Sequence, residues 1–237
     1  GVWFHENSEW EGQRLSKFIV IEGLIGVGKT SLCRLLRDRW NASLVLEPVE
    51  DNPFLAHFYA DRRRYAFPAQ MFYLATRCAQ QMSLQQGELF SDLIVADYLY
   101  EKDRLFAEET LEGNEMALYD RFASLLGASV AVPEFVLFLD APTDTVLKRI
   151  QRRAIASEQV IEGAYLESLR DRYYSLWERY EAAPVYILNT DEINYVDDEK
   201  AQERVLEMIQ GWLDGNPVEG SPEPYRSSHM RQLQLFA

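Results

Sequence analysis

Short apolar runs alternate along most of the chain with longer segments of helical periodicity. Five of these runs are as long as strands that are buried on both faces of a sheet. Most of them are also rich in β-branched or aromatic residues. They are Phe18–Ile21, Leu44–Leu46, Leu93–Ala96, Phe135–Leu139 and Val185–Leu188. Strands that alternate with helices predict an α/β fold with a doubly wound parallel sheet, flanked by helices.

The segments between the runs repeat their apolar residues every three or four positions, as one face of a helix does. The clearest helical segments are Ala66–Leu84, Lys102–Leu126 with a break near Gly113, Thr143–Arg153, Tyr165–Glu181 and Glu199–Leu213. Pro68 is expected in a first turn, where a helix tolerates proline. We expect one domain over residues 17–213, after a lead-in at 1–16 and before a linker or frayed tail at 214–237.

The first strand runs into a glycine-rich turn and then a helix with an apolar stripe. Gly23, Gly28, Lys29 and Thr30 satisfy G-x-x-x-x-G-K-[ST], the P-loop pattern of this strand–turn–helix context. Glycines let successive backbone N–H groups point at phosphate oxygens, and the helix adds its positive N-terminus. ATP is the expected cofactor, with Mg²⁺ at Thr30. The phosphate contacts are expected from Gly23, Gly26, Val27, Gly28, Lys29, Thr30 and Ser31.

The composition of the chain limits the kinds of molecule that it is expected to bind. The 237 residues carry a net charge of −14 at a pI of about 4.7, which argues against binding to a nucleic-acid polymer. A nucleotide needs only a local positive pocket. Two cysteines without metal spacing favour a reducing cytoplasm. No run is long enough for a membrane span, and the first thirteen residues lack a signal-peptide pattern.

Acidic residues follow two of the predicted strands. Glu47 comes after the second strand and Asp97 after the third. Ligands of open parallel sheets bind beyond the carboxyl ends of the strands, so both acids are expected at the mouth that holds the phosphates. One acid could activate an attacking hydroxyl, and one could help hold Mg²⁺ through water.

A basic segment stands out from the acidic chain. Lys148, Arg149, Arg152 and Arg153 lie within six residues of a predicted helix. Such a helix can act as a lid that brings arginines to a transferring phosphoryl group, with 154–163 as a mobile loop. A solvated surface helix is the plainer interpretation of the same charges.

With these parts in place, the chain resembles the deoxyribonucleoside kinase family from about Lys17 to Leu213. Glu47-Pro48-Val49 is similar to the family's Glu-Pro-Val segment, and Asp97 to the acid of its Asp/Glu-Arg-Ser motif. The resemblance implies Asp97 as general base and Glu47 near the 5′-hydroxyl. It also implies substrate contacts from Tyr59, Gln70, Arg77, Asp103 and Glu158, and catalytic arginines at 149 and 153.

The physical chemistry of these residues fits such roles. Gln70 offers a donor and an acceptor, so its amide can read a nucleobase edge. Arg77 lies seven residues further on, two turns along the same helix face. The resemblance makes Asp103 the partner of Arg77, a pair suited to adenine or cytosine more than to thymine.

One departure from the family pattern concerns charge. Tyr98 stands where the family has an arginine directly after the acid. We expect Arg104 or a lid arginine to supply the missing charge. The lid is also poorer in arginine than is usual, since Ile155 falls where another arginine is common.

The sequence therefore predicts ATP-dependent phosphorylation of the 5′-hydroxyl of a deoxyribonucleoside, a step of nucleotide salvage, by a homodimer. Two alternatives stay open. A nucleoside monophosphate kinase of the thymidylate kinase type would share the P-loop and the sheet. A regulatory nucleotide-binding module without transfer activity is the other, and Tyr98 is the feature that favours it.

Overall fold

The computed structural model describes residues 16–47, 52–85, 91–127, 130–155, 158–159 and 161–228, without the side chains of Leu55, Tyr59 and Gln85. Its centre is a five-stranded, all-parallel sheet in the order β2-β3-β1-β4-β5. The strands are β1 Lys17–Gly23, β2 Ser43–Val45, β3 Leu93–Ala96, β4 Val136–Asp140 and β5 Val185–Asn189. The predicted fold class is confirmed, and all five strands end within two residues of their predicted bounds.

Eight helices lie between and after the strands of the described part of the chain. They are α1 Lys29–Trp40, α2 Leu55–Ala60, α3 Arg62–Gln85, α4 Lys102–Thr110, α5 Gly113–Leu126, α6 Thr143–Arg153, α7 Gly163–Trp177 and α8 Glu199–Leu213. The bounds predicted for α6 and α8 are confirmed. Across the described residues, no helix combines the length and apolarity that crossing a bilayer requires.

The sheet is buried on both faces, as its uninterrupted apolar strands require. One aromatic layer joins Phe138 of β4 to Tyr173 and Trp177 of α7, with ring centroids 5.0 and 5.4 Å away. A second, smaller apolar cluster lies among α3, α4 and α5, around Leu74 and Tyr119. This second cluster holds α3, α4 and α5 together, and these helices carry polar residues that lie near the edge of the sheet.

Helix α3 begins earlier than predicted. Asp61 accepts the backbone N–H of Tyr65 on its carbonyl oxygen at 3.2 Å and that of Arg64 on its carboxylate at 3.3 Å, so the first turn starts at Arg62. Pro68 is consequently the seventh residue of the helix rather than a first-turn residue, and the prediction of its position was wrong. The short helix α2 was not predicted, and α7 ends at Trp177 instead of Glu181.

The segment after α8 packs on the domain as far as residue 228. The Tyr225 N–H donates to the Val185 carbonyl of β5 at 2.7 Å, and its hydroxyl donates to Glu178. Its ring meets Tyr174 edge-on at 6.0 Å. This part of the predicted tail is therefore docked along the β5 edge, which differs from a frayed tail. Residues 1–15 and 229–237 lie outside the described residues.

Candidate active site

The P-loop is the turn between β1 and α1, at the carboxyl end of the central strand. Gly26 has φ of 76° and Gly28 has φ of 101°, backbone conformations that only glycine adopts without strain. Gly28 is also the residue that starts α1, so Lys29 and Thr30 form its first turn. The turn thus presents backbone N–H groups and a helix N-terminus at one place, which suits an anion.

Two other elements hold this turn from behind. A Cβ on Gly26 would lie 3.1 Å from the side chain of Ile150, so α6 packs directly on the loop. The Tyr195 hydroxyl, from the β5–α8 connection, donates to the Gly28 carbonyl oxygen at 2.9 Å. Tyr195 was not predicted from the sequence, and no local pattern marks it.

The two predicted lid arginines have different surroundings. Arg149 donates to the Val27 carbonyl oxygen at 3.3 Å and to Thr190 Oγ1 and O at 2.8 and 3.0 Å. It therefore links α6, the P-loop and the end of β5. Arg153 forms an ion pair with Glu158 at 3.3 Å. Glu158 Oε2 is buried and has no hydrogen-bond partner among the described residues.

The two predicted strand-end acids meet beyond β2 and β3. The Glu47 N–H donates to Asp97 Oδ1 at 2.6 Å, and the Asp97 N–H donates to the Val45 carbonyl oxygen at 3.1 Å. These bonds close the gap between the two strand ends. The sheet order therefore places both carboxylates beside the P-loop, as expected for strands that end at one edge.

The two carboxylates have opposite pKa shifts. Burial raises the pKa of Asp97, and the charge of Lys29 opposes this only in part. Burial would also raise the pKa of Glu47, but Lys102, Arg77 and Lys29 outweigh it and lower the pKa to about 2. Glu47 is thus held as an anion, while Asp97 is the more basic of the two acids.

A polar cluster extends from Glu47 into the helices. The Arg77 guanidinium binds the carboxylates of both Asp103 and Glu47, and only 5% of its side chain is exposed. Asp103 also accepts the Tyr119 hydroxyl, and its carbonyl oxygen accepts Gln70 Nε2 at 3.2 Å. The structure therefore joins Arg77 and Asp103, the pair that the resemblance implies.

Two charged residues that the sequence analysis did not single out complete this network. Glu22 is fully buried on β1 and accepts the Leu99 N–H at 2.8 Å and the Tyr173 hydroxyl at 2.9 Å. Lys102 Nζ lies 3.2 Å from Glu22 and 3.1 Å from Glu47. A carboxylate inside an otherwise apolar strand is the sequence signal for Glu22, because such a charge needs a buried partner.

The expected substitute for the missing arginine is not Arg104. Its side chain is 47% exposed and pairs with Glu108 and with Asp120, the latter at 3.0 Å. Arg104 is two positions beyond Lys102 on α4, so it projects from a different side of the helix. The prediction that Arg104 supplies charge at the site was wrong.

Tyr98 is fully buried beside the cluster. Its ring faces the Arg77 guanidinium at 5.5 Å, and its hydroxyl donates to Gln80. The ring of Tyr73 faces the same guanidinium at 5.2 Å. Two aromatic faces therefore hold Arg77 in addition to its two ion pairs. Residues 48–51, with Pro48 and Val49, and the Tyr59 side chain lie outside the described part.

No group of three or more His, Cys, Asp or Glu side chains within the described ranges could hold a metal by itself. The available donors near the P-loop are oxygens: the exposed Thr30 hydroxyl and the carboxylates of Asp97 and Glu47. This set fits Mg²⁺ that arrives with a nucleotide and keeps phosphate and water ligands. It does not form a protein-only metal cage.

Comparisons with known proteins identify the family of the chain. The sequence profile for deoxynucleoside kinase matches residues 19–214. Deoxyguanosine kinase of Bacillus subtilis is 33% identical over 202 residues, which cover 81% of this chain and 96% of that enzyme. Deoxyadenosine kinase of Lactobacillus acidophilus is 32% identical over 205 residues, which cover 81% of this chain and 94% of that enzyme.

Solved structures give the same fold. Deoxyadenosine kinase from M. mycoides with bound dATP superposes with a TM-score of 0.67 at 21% identity, over 82% of this chain and 99% of that one. The profile match spans most of the chain, and the two relatives exceed 30% identity over nearly their whole length. The chain therefore belongs to the deoxynucleoside kinase family and is, by that membership, a kinase.

Proposed function

We propose that the chain transfers the terminal phosphoryl group of ATP to the 5′-hydroxyl of a deoxyribonucleoside, with deoxyadenosine or deoxycytidine preferred. The observation that carries this proposal is the position of Glu47. Its N–H holds Asp97 at 2.6 Å, while its carboxylate binds Arg77 of the polar cluster. One residue thus connects the acid beside the phosphate loop with side chains suited to a nucleobase.

The donor half of the site is the P-loop. Its N–H groups and the N-terminus of α1 would hold the triphosphate, with Lys29 at the β- and γ-phosphates. Thr30, with Asp97 or Glu47 through water, would hold the Mg²⁺ that accompanies ATP. When bound, this ion would neutralise charge on the phosphate oxygens. Arg149 and Arg153 would act from the lid, with Arg149 already at the loop through Val27.

The acceptor half centres on Asp97. Its raised pKa makes this carboxylate a better proton acceptor for a hydroxyl than an ordinary aspartate. Glu47, held ionised, would orient the same hydroxyl. Tyr59 and Glu158 would contact the sugar, and Glu158 Oε2, which has no hydrogen-bond partner among the described residues, offers an acceptor for a sugar hydroxyl. Gln70 would read the base together with the Arg77–Asp103 pair.

The base preference follows from donors and acceptors. Asp103 can only accept and Arg77 can only donate, so together they match an exocyclic amino group beside a ring nitrogen. Adenine and cytosine present that pattern on their Watson–Crick edges, where the amino group of guanine stands beside a ring N–H and thymine has no amino group. Deoxyguanosine is the second candidate, because the Bacillus subtilis relative at 33% identity is a deoxyguanosine kinase.

A transfer assay with Mg-ATP and each of the four deoxynucleosides, and with thymidine monophosphate, tests the proposal. We expect turnover with deoxyadenosine or deoxycytidine, little with thymidine, and loss of all transfer in Lys29→Ala. Activity with the monophosphate alone would identify a nucleoside monophosphate kinase instead. Nucleotide binding without transfer to any acceptor would identify a regulatory module.

A homodimer is also proposed. Leu118, Phe122 and Leu125 of α5 are 43%, 41% and 71% exposed and share one helix face. Such an apolar face supports association of two copies, which the family resemblance implies. Light scattering behind size-exclusion chromatography should give twice the chain mass. A single chain mass at micromolar concentration would contradict the proposal.

A further inference from the structure

Lys102 is the most deeply buried cation of the described network. Its side chain is 3% exposed, and its ammonium lies 3.2 Å from Glu22 and within 3.2 Å of both carboxylate oxygens of Glu47. Glu47 in turn holds Asp97 through its N–H at 2.6 Å. A single residue, Glu47, therefore connects Lys102 to the proposed general base Asp97.

The arginines described near the site each bind at least one group other than Glu22, Glu47 and Asp97. Arg77 is bound by Asp103 and Glu47, and Arg149 by Val27 and Thr190. Arg104 points to Glu108 and Asp120 on the surface. Among the described residues, Lys102 pairs with Glu22 and Glu47, and its ammonium also lies 6.0 Å from the centre of the Phe106 ring. The charge of Lys102 therefore acts directly on the carboxylates of Glu22 and Glu47.

The position of Lys102 in α4 explains how it reaches the site. It is the first residue of the helix, and helical side chains lean towards the N-terminus, here back towards the end of β3. A cation in a first turn is opposed by the helix dipole. Helix stability alone therefore does not favour lysine at this position, whereas the two carboxylates do.

We propose that Lys102 is a positioning residue for phosphoryl transfer: it fixes Glu47, and through it Asp97, and supplies the positive charge that Tyr98 cannot supply. This inference rests on the proposed function. Glu22 is fully buried and anchors the ammonium of Lys102, which is thereby held in place against Glu47. Tyr98 meanwhile fills space against Arg77.

Kinetics of Lys102→Met, Lys102→Arg and the double variant Tyr98→Arg/Lys102→Met test this assignment. We expect Lys102→Met to lower kcat by about 10²-fold, while KM for ATP changes little, since the loss lies in the transition state. Lys102→Arg should keep most of the turnover. The double variant should recover at least tenfold of the lost turnover, because it restores the arginine that the family pattern has directly after the acid. Arg104→Met, on the exposed side of the same helix, is the matched control and should match the wild type.

The outcomes separate the possible roles. A folded Lys102→Met protein with wild-type kcat would overturn the inference, and so would a folded double variant as slow as Lys102→Met. Should Lys102→Met fail to fold, Glu22→Gln/Lys102→Met replaces it under the same criterion, because the buried anion is neutralised too. A wild type that transfers to no deoxynucleoside would instead refute the proposed function, which the variants do not test.

Discussion

At the scale of single residues, two neighbouring carboxylates take different environments. Asp97 is affected mainly by burial, which raises its pKa, whereas three cations lower the pKa of Glu47 to about 2. Titratable groups whose pKa values are pushed apart mark a division into a proton acceptor and a permanent anion. The structure therefore favours Asp97 over Glu47 as the base, although both follow a strand.

Replacing Asp97 by asparagine tests that division. The amide keeps the size of the side chain and can still accept the Glu47 N–H, so ATP binding should stay near the wild-type value. Turnover should fall by roughly 10²-fold or more, because a positioned base is lost. Steady-state kinetics with separate ATP titrations measure both effects. Unchanged turnover would remove Asp97 as the base.

The pH dependence gives a second prediction for the same residue. Because the pKa of Asp97 is raised, the carboxylate takes up its proton at a higher pH than an ordinary aspartate, and kcat/KM should fall as pH drops through that pKa. Lys29, Glu47 and Lys102 surround this group, and Glu47 stays ionised with its pKa of about 2. The acid limb of the profile should therefore lie above ~3.9, the usual value for Asp. A limb below that value, with the protein still folded, would contradict the assignment.

At the scale of elements, the start of α1 depends on a distant loop. Gly28 has φ of 101°, and a Cβ there would lie 2.6 Å from the Tyr195 hydroxyl oxygen. That hydroxyl is bonded to the Gly28 carbonyl at 2.9 Å. The shape of the phosphate loop is thus set by its glycines and by the connection from β5 to α8 together.

Gly28→Ala should therefore damage nucleotide binding. A non-glycine residue in this conformation costs about 1–3 kcal/mol, and the clash with Tyr195 adds to it. We expect ATP affinity to fall by about tenfold or more, measured by isothermal titration calorimetry. Gly113→Ala is the matched control: its φ is also positive, at 53°, but no atom lies within 4 Å of the added Cβ. Equal ATP affinity in both variants would refute this account of the loop.

At the scale of the whole molecule, residues 214–228 close the edge of the sheet at β5. The Tyr225 N–H donates to the Val185 carbonyl oxygen, and the carboxylate of Glu178 accepts the Ser228 N–H at 2.8 Å. An edge strand with open backbone groups invites pairing with other chains, so this segment protects it. The phosphate loop follows the central strand β1, and the strand-end acids follow β2 and β3 in the half of the sheet away from β5.

Tyr225→Ala should accordingly lower stability without changing turnover. Loss of the ring and its bond to Glu178 should cost about 1–3 kcal/mol, with a melting temperature lower by about 2–4 °C per kcal/mol in a chain of this size. Tyr225→Phe removes only the hydroxyl, so its melting temperature should lie between those of the wild type and Tyr225→Ala. Calorimetry gives the melting temperatures, and the transfer assay gives turnover. A variant as stable as the wild type would show that the segment does not support the fold.

The sequence by itself determined the local features of this protein. The P-loop is readable because its residues are neighbours along the chain as well as in space. The strands are readable because burial on both faces demands unbroken apolar runs. Glu47 and Asp97 could be placed at one edge because parallel strands end together.

Only the tertiary structure decided which distant side chains meet. Glu22 and Lys102 pair because the order β2-β3-β1 brings the end of β3 beside β1, and Tyr195 reaches Gly28 across 167 positions. The sequence marks neither contact: a carboxylate in an apolar strand requires a buried partner but does not identify it, and a tyrosine in a loop is compatible with many partners. The sequence therefore led us to expect Arg104 or a lid arginine for the missing charge, whereas the packing of α4 turns Arg104 to the surface and brings Lys102 beside Glu47. Pairing of buried charges depends on the three-dimensional order of elements, and local patterns do not contain that order.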